Sequence, residues 1–238
     1  WLMAFVGVQF LIWALSGLYM VSMDIHFVHG ETLLKKERHA LVLDRVTYPM
    51  ASLQAVYPEA QGIELDRLLD KQIYRFKLDA EDEFVMVDAA TGRRLPPIDR
   101  ETALAIARGA IAENAEIDEV ELIADETSLP EELASRHLPA WRVTFAGVSS
   151  STLYIGQQTG AIVTKRHAAW RVFDWLFRFH IMDYGQDEDV SNRLLLLFAG
   201  LGFLAAVTGA CLTYFRILAP NGRRGKVVDP LGKGSAVL

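Results

Sequence analysis

The chain has 238 residues, a net charge of −6 and an apolar share of 51%. A net negative charge argues against attraction to nucleic acid, so we expect no nucleic-acid partner. The only cysteine, Cys211, excludes a disulfide within the chain, so packing alone must hold its folded part together.

The chain opens with an apolar segment. Residues 1–23 carry no charge, and this run is longer than the roughly 20 residues that a transmembrane helix needs. A cleaved signal peptide fits poorly, because the apolar run at 1–23 is longer than the apolar region of a signal peptide. In addition, no small-x-small cleavage site precedes Asp24. The first residue, Trp1, already lies in apolar sequence, so we expect a cytoplasmic flank before it.

A connector at 24–49 leads to two similar units, at 50–98 and 99–166. The first has a helical pattern from Met50 to Tyr57, and the second has one from Asp99 or Arg100 to Ala112. Alternating strand patterns follow each helix: 74–78 and 84–88 in the first unit, 141–145 and 152–156 in the second. Each unit is therefore predicted to be a helix with about three antiparallel strands, an α+β architecture.

A Thr-Gly pair follows the second predicted strand of each unit, at 91–92 and at 159–160. A hairpin turn at this point needs a positive backbone angle, which Gly92 and Gly160 supply. The acidic stretch from Glu126 to His137 is interrupted by proline, and we expect an exposed loop there.

Residues 167–193 are predicted to form an amphipathic helix, lying along the outer leaflet, and a connector. A second apolar segment, 194–218, contains Arg216 as its only charge, and the tail at 219–238 is basic. The positive charges predict a cytoplasmic C-terminus. Residues 24–193 hold 19 basic and 29 acidic residues, and two spans would place them in the periplasm of a bacterium. We expect a multi-pass protein of the inner membrane, with the lipid bilayer as a partner.

Small residues recur at helical spacing in the second span, at Gly202, Ala206 and Ala210. Such a stripe lets another helix approach closely. Two readings stay open at this point. The stripe either packs the two spans of one chain against each other, or it joins a homodimer or a membrane partner subunit.

The whole arrangement resembles the PepSY domain and PepSY-associated transmembrane proteins. Four segments carry the resemblance: 87–92 and 155–160 at the Thr-Gly turns, 13–20 in the first span, and 179–185 before the second. Larger members of that family have four spans and include proteins linked to iron-siderophore uptake, some of which look like haem-bearing reductases. The resemblance implies an α+β membrane protein, with two transmembrane helices flanking an extracytoplasmic domain of two PepSY-like units.

Three histidines are predicted to lie near the outer membrane surface. His26 and His29 follow the first span, and His180 lies on the apolar face of the amphipathic helix. Haem b held by two imidazoles needs ligands on opposite sides of its iron, in an apolar slot between helices. His180 with His26 or His29 would meet that need, and Asp183 could hold the other ring nitrogen of His180. Alternatively, these imidazoles only form hydrogen bonds at the headgroup level.

Two functions remain open from the sequence, which contains no nucleophile elbow, phosphate loop or His-Glu-x-x-His motif. One is a haem-binding accessory subunit for electron transfer to a periplasmic acceptor, such as a ferric siderophore in iron uptake. The other is a non-enzymatic interaction or regulatory module, anchored in the membrane by its two spans.

Overall fold

The computed structural model describes residues 2–35, 41–78, 83–112, 115–147, 150–182 and 192–218. Its α-helices are α1 (Leu2–Ser22), α2 (Ile25–Val28), α3 (Met50–Val56), α4 (Arg100–Ala110), α5 (Ala168–His180) and α6 (Arg193–Thr213). A π-helical turn, Tyr214–Leu218, continues α6. The strands are β1 (Ala60–Leu68), β2 (Lys71–Leu78), β3 (Glu83–Asp88), β4 (Arg94–Leu95), β5 (Ile117–Ile123), β6 (Ala140–Phe145), β7 (Thr152–Gly156) and β8 (Ile162–Arg166).

The strands form two antiparallel sheets of four, β1-β2-β3-β4 and β5-β6-β7-β8, and α3 and α4 precede them. The predicted α+β class is confirmed, but each sheet has one strand more than the sequence predicts. Both missed strands, β1 and β5, are irregular in register. β1 contains Gly62 at φ +61° and β5 contains Asp118, Glu119 and Glu121, so neither shows a clear alternation of apolar and polar residues.

The two units share one apolar core, because successive side chains of a strand point to opposite faces of its sheet. One face of the first sheet packs on Leu53 of α3, and the buried side chains of this face are Tyr74, Phe76, Val85 and Val87. The other face packs against α4 and the second sheet, and the buried side chains there include Ile73, Met86, Ala103, Ala107, Val143, Leu153 and Ile155.

Hydrogen bonds also join the units. The Ile98 amide donates to the Gln157 carbonyl at 2.8 Å, and the Trp141 indole donates to the Ile98 carbonyl at 3.0 Å. Arg75 Nε donates to the Thr159 carbonyl at 2.9 Å. The second Thr-Gly turn therefore lies directly against the first unit.

Both Thr-Gly turns have the backbone that the sequence predicts. Gly92 has φ +72° and Gly160 has φ +63°. Each glycine amide donates to a carbonyl four residues earlier, that of Asp88 or Gly156, at 2.9 and 2.8 Å. A side chain at either glycine would also collide with a neighbour, since Gly92 lies against Tyr48 and Gly160 against Leu68.

The stretch from Glu126 to His137 is less exposed than predicted. It forms two 3-10 turns, Glu126–Ser128 and Ser135–His137, and Leu133 between them is buried. Leu133 packs with Ala140 and Tyr154 on the second sheet. The segment thus covers one face of that sheet. Its acidic composition gives no indication of this packing.

One helix among the described residues, Arg193–Ile217, is long and apolar enough to cross a membrane. Nearly all of its side chains are exposed, as expected for a helix that faces lipid. The apolar stretch described within α1 is the shorter segment Gly7–Ser22. The tail at 219–238 lies outside the described residues.

The amphipathic helix α5 packs along α1. His167, before its first residue, contacts Phe27, and His180, its last residue, contacts Ser16, so the two helices run antiparallel. The sequence predicts a helix lying along the outer leaflet. In the structure the face of α5 that carries His180 packs on Ser16 and Gly17 of α1, and the position of α5 relative to a bilayer stays a prediction.

Candidate functional site

The imidazole of His180 is held between α5 and α1. Its Nδ1 lies 2.9 Å from Ser16 Oγ, and its ring stacks on the indole of Trp13 with centroids 5.2 Å apart and planes 25° apart. Gly17 permits the close approach, since a Cβ there would lie 3.2 Å from His180 Cε1. Small residues at 16 and 17 thus form a notch in an otherwise bulky helix.

The proton positions at this contact follow from the hydrogen bonds. Ser16 Oγ donates its single proton to the Trp13 carbonyl at 3.0 Å, so it can only accept from His180. The proton of the neutral imidazole is therefore on Nδ1, and Nε2 carries a free lone pair. Nε2 has no hydrogen-bond partner among the residues that the structure describes.

Burial lowers the pKa of His180, and this effect exceeds that of the nearby Trp13 backbone, which raises it. The imidazole is accordingly neutral at pH 7. A neutral imidazole with its Nδ1–H held by the protein and its Nε2 free is the form that binds a metal ion.

His26 and His29 lie at the opposite end of α5 from His180. His26 Nδ1 pairs with Glu31 Oε2 at 3.0 Å, and the hydrogen bond to Glu31 raises the pKa of His26. His29 is exposed at the end of α2. Between them, the Phe27 carbonyl accepts from His167 Nε2 at 2.9 Å.

The structure therefore does not bring His180 together with His26 or His29. The 13 residues of α5 separate the two sites by about 20 Å along the helix axis. Among the described residues, no group of three or more His, Cys, Asp and Glu is arranged to hold a metal ion. Asp183, predicted to support His180, lies outside the described residues.

An apolar pocket lies next to Trp13, where α1, the end of α5 and α6 meet. Its walls are formed by Gln9, Phe10, Trp13, Met182, Leu195, Phe198 and Ala199. Further along α6, Gly202 lies under the ring of Phe10, where a Cβ would come within 2.7 Å of Phe10 Cε2. Gly202 thus packs α6 on α1 within one chain, whereas Ala206 and Ala210 are exposed.

The domain formed by the connector and the two units, residues 31–166, is called the outer domain below, and a polar network that the sequence analysis missed fixes it to α5. Arg171 of α5 binds both carboxylate oxygens of Glu132 at 2.9 and 3.0 Å, and the Tyr154 hydroxyl donates to Glu132 at 2.7 Å. Burial and the neighbouring Glu132 raise the pKa of Tyr154. Arg171 also donates to the Ser150 carbonyl and to Thr152. The second sheet, its covering loop and α5 are thereby joined.

No sequence signal singles out Glu132, because it is one of several acids in a stretch that looks like a solvated loop. Ser16 and Gly17 are different. Their interruption of a bulky apolar run is visible in the sequence, but the contact of Ser16 with His180, 164 residues further along the chain, is not.

No protein-family model, curated protein or solved structure matches this chain. The fold and the His180 contact define an α+β protein with at least one helix able to cross a membrane. Its function must be argued from these features.

Proposed function

We propose that the protein is a PepSY-type inner-membrane subunit that binds haem b and assists electron transfer to a periplasmic acceptor, such as a ferric siderophore. The observation that carries the proposal is the state of His180. Its Nδ1–H is held by Ser16, its pKa is lowered by burial, and its Nε2 has no partner among the described residues.

Two membrane spans are part of the proposal. α1 packs on α6 through Phe10 and Gly202, and α6 begins near Trp13, so the helices run antiparallel as two consecutive spans would. The proposal puts both chain ends on the cytoplasmic side and the two units in the periplasm. If α1 crosses the bilayer, α5 enters the outer leaflet beside it.

The residues present fit one side of a haem. His180 would hold the haem iron, Ser16 and Trp13 would fix the plane of its ring, and the apolar walls around Phe10 and Leu195 would exclude water. A bound haem would supply one-electron chemistry. The contribution of this chain would be to hold the imidazole neutral and oriented, which would stabilise ligation and influence the reduction potential.

The absorbance spectrum of the full chain, purified after expression with ample haem, tests the proposal. We expect a Soret band that shifts on reduction with dithionite. His180→Ala should lose the haem or convert a low-spin spectrum to a high-spin one. His180→Gln keeps a hydrogen bond to Ser16 but is a poor ligand, so it should keep the fold and lose the spectrum.

His29→Ala is the matched control, because His29 is exposed at the other end of α5. A colourless wild-type protein, with a His180→Gln variant of unchanged stability, would contradict the haem proposal.

A non-enzymatic interaction or regulatory module is the second candidate, and the Arg171–Glu132 network favours it. A network that ties the outer domain to α5, and through it to α1, would transmit a binding event from the two units to the membrane helices. Leu41, Val42 and Leu43 form an exposed apolar run on the outer domain, a candidate contact for a protein partner. Co-purification of a partner with wild-type protein but not with a Leu41→Ser/Leu43→Ser variant, in a colourless preparation, would favour this function.

A further inference from the structure

Basic side chains collect where the outer domain joins α5. Arg166 is the last residue of β8, and Arg136 and His137 lie at the end of the segment that covers the second sheet. Both arginines are close enough to lower the pKa of His137 through their positive charges, and no carboxylate among the described residues opposes them there. These three residues are called the basic cluster below.

The basic cluster is a local exception in an acidic stretch of chain. Residues 24–193 hold 29 acidic and 19 basic residues. Arg136 is exposed and forms no ion pair with a described residue. The charge of Glu132, four residues earlier, is already compensated by Arg171. Arg136 therefore offers positive charge to a partner outside the chain.

Trp170 adds an aromatic ring beside the basic cluster. The central carbon of the Arg166 guanidinium lies 3.9 Å from the centroid of the Trp170 ring, and Nη1 donates to the Lys165 carbonyl at 3.1 Å. Stacking on an indole holds a guanidinium flat, with its donors around its edge. Tryptophan is enriched at the membrane–water interface, and arginine binds phosphate through two parallel hydrogen bonds. The pair is therefore typical of a surface that meets lipid headgroups.

The position of the basic cluster along the helices fits this level of a bilayer. His167, which follows Arg166, is bound to the Phe27 carbonyl, five residues beyond the last residue of α1. From this point α5 runs back along α1, and Val172 and Trp175 on it are 50% and 65% exposed. A helix that enters the outer leaflet in this direction has its first turn at the headgroups and these apolar side chains among the acyl chains.

We propose that the basic cluster binds the phosphate groups of anionic phospholipids in the outer leaflet, which holds the outer domain against the membrane surface. Charge selects this partner, because an acidic domain is repelled by an anionic leaflet except where basic residues face it. A soluble anion or an acidic protein would need neither the adjoining Trp170 nor the exposed apolar residues that follow it on α5. The inference rests on the two-span topology of the proposed function and not on haem.

Lipid binding by the full chain in detergent tests the inference. Native mass spectrometry counts the phosphatidylglycerol and phosphatidylcholine molecules that the protein retains from an equimolar mixture. We expect wild-type protein to retain phosphatidylglycerol several-fold more often, and Arg136→Gln/Arg166→Gln to lose this preference. Arg93→Gln/Arg100→Gln is the matched control and should keep it, because both arginines are exposed elsewhere on the outer domain and their removal changes the net charge equally. Arg136→Glu, a single change at an exposed position, should abolish the preference with an unchanged circular dichroism spectrum, which separates loss of binding from loss of the fold.

His137 provides a second readout. In nanodiscs of phosphatidylcholine, addition of phosphatidylglycerol should raise the midpoint of its NMR titration, because the phosphate groups offset the charges of Arg136 and Arg166. The shift should be smaller in Arg136→Gln/Arg166→Gln, where only the general surface potential remains. Equal shifts in the two proteins would contradict binding at the basic cluster.

Two further outcomes would overturn the inference. Equal retention of both lipids by the wild type would leave a soluble anion or an acidic protein as the partner, and binding of inorganic phosphate would identify the former. Loss of the preference in Arg93→Gln/Arg100→Gln would show that net charge, and not this surface, selects the lipid. Neither result affects the proposed topology, whereas accessibility labelling that excludes two spans would contradict the topology and the lipid site together.

Discussion

Arg171 of α5 and Glu132 of the segment covering the second sheet form a two-point ion pair, with N–O distances of 2.9 and 3.0 Å. The carboxylate also accepts from Tyr154, so removal of either partner leaves polar groups unpaired in a partly buried place. α5 follows β8 and ends at His180, so this pair ties the segment that covers the second sheet to the helix that carries the candidate ligand.

Arg171→Met should therefore destabilise the protein, by about 1–3 kcal/mol after allowance for partial solvent exposure of the pair. Chemical denaturation in detergent, followed by circular dichroism, measures the change. Arg108→Met on the exposed face of α4 is the matched control and should change stability by less than about 0.5 kcal/mol. Equal stability of both variants would show that the ion pair does not hold α5 in place.

The second Thr-Gly turn gives a prediction about the contact between the units. Gly160→Ala adds a Cβ 2.5 Å from Leu68 Cδ1 at a φ of +63°, whereas Gly62→Ala meets nothing within 4 Å at a similar φ of +61°. Both variants should lose about 1 kcal/mol from strain of the left-handed backbone. Gly160→Ala should lose more, because Leu68 must also move. Equal melting temperatures for the two variants would mean that the turn does not press on the first unit.

The sequence predicts the helix-plus-sheet units but not how they meet. Thr91-Gly92 and Thr159-Gly160 identify both hairpin turns, because a local backbone requirement leaves a local signal. The pairing of Ile73 with the core of the second unit leaves no such signal, since a strand buried on both faces does not reveal which partner covers each face. His180 is identified as a candidate because it lies on an apolar helical face. Its partners on α1 are missed because periodicity gives no information about which helices pack together.

The pKa values of His26 and His137 should be shifted in opposite directions. Glu31, by its hydrogen bond and its charge, raises the pKa of His26, whereas burial and the nearby Arg136 and Arg166 lower that of His137. The His26–Glu31 interaction thus favours the folded state at pH below 6.5 and is lost as pH rises through the raised pKa. NMR titration should place the midpoint of His26 above 6.5 and that of His137 below it.

Glu31→Gln provides the control for this assignment. It should return the midpoint of His26 toward 6.5 and leave that of His137 unchanged, because the pKa of His137 is shifted by burial, Arg136 and Arg166 and not by Glu31. A midpoint for His26 that does not respond to Glu31→Gln would contradict the pairing.

The proposed membrane topology predicts different accessibility for the outer domain and the tail. In a Cys211→Ser background, Asp44→Cys places a thiol on an exposed position of the outer domain, and Lys233→Cys places one in the tail. A membrane-impermeant maleimide should label the first in intact spheroplasts and the second only after permeabilisation. The reverse pattern would invert the orientation, and labelling of both would exclude two spans.

Substitutions at the contact between Phe10 and Gly202 test whether α1 and α6 pack against each other within one chain. Gly202→Val would place a side chain within 2.7 Å of the Phe10 ring, so the helices must separate, at a cost of about 1–3 kcal/mol. Gly209→Val is the matched control, because its added side chain meets nothing within 4 Å.

Phe10→Ala makes room for the valine, so the double variant should lose less stability than the sum of the two single variants. Denaturation of all four variants in the same detergent provides the comparison. Strict additivity would show that the two residues do not touch, and the antiparallel pair of spans would lose its main structural support.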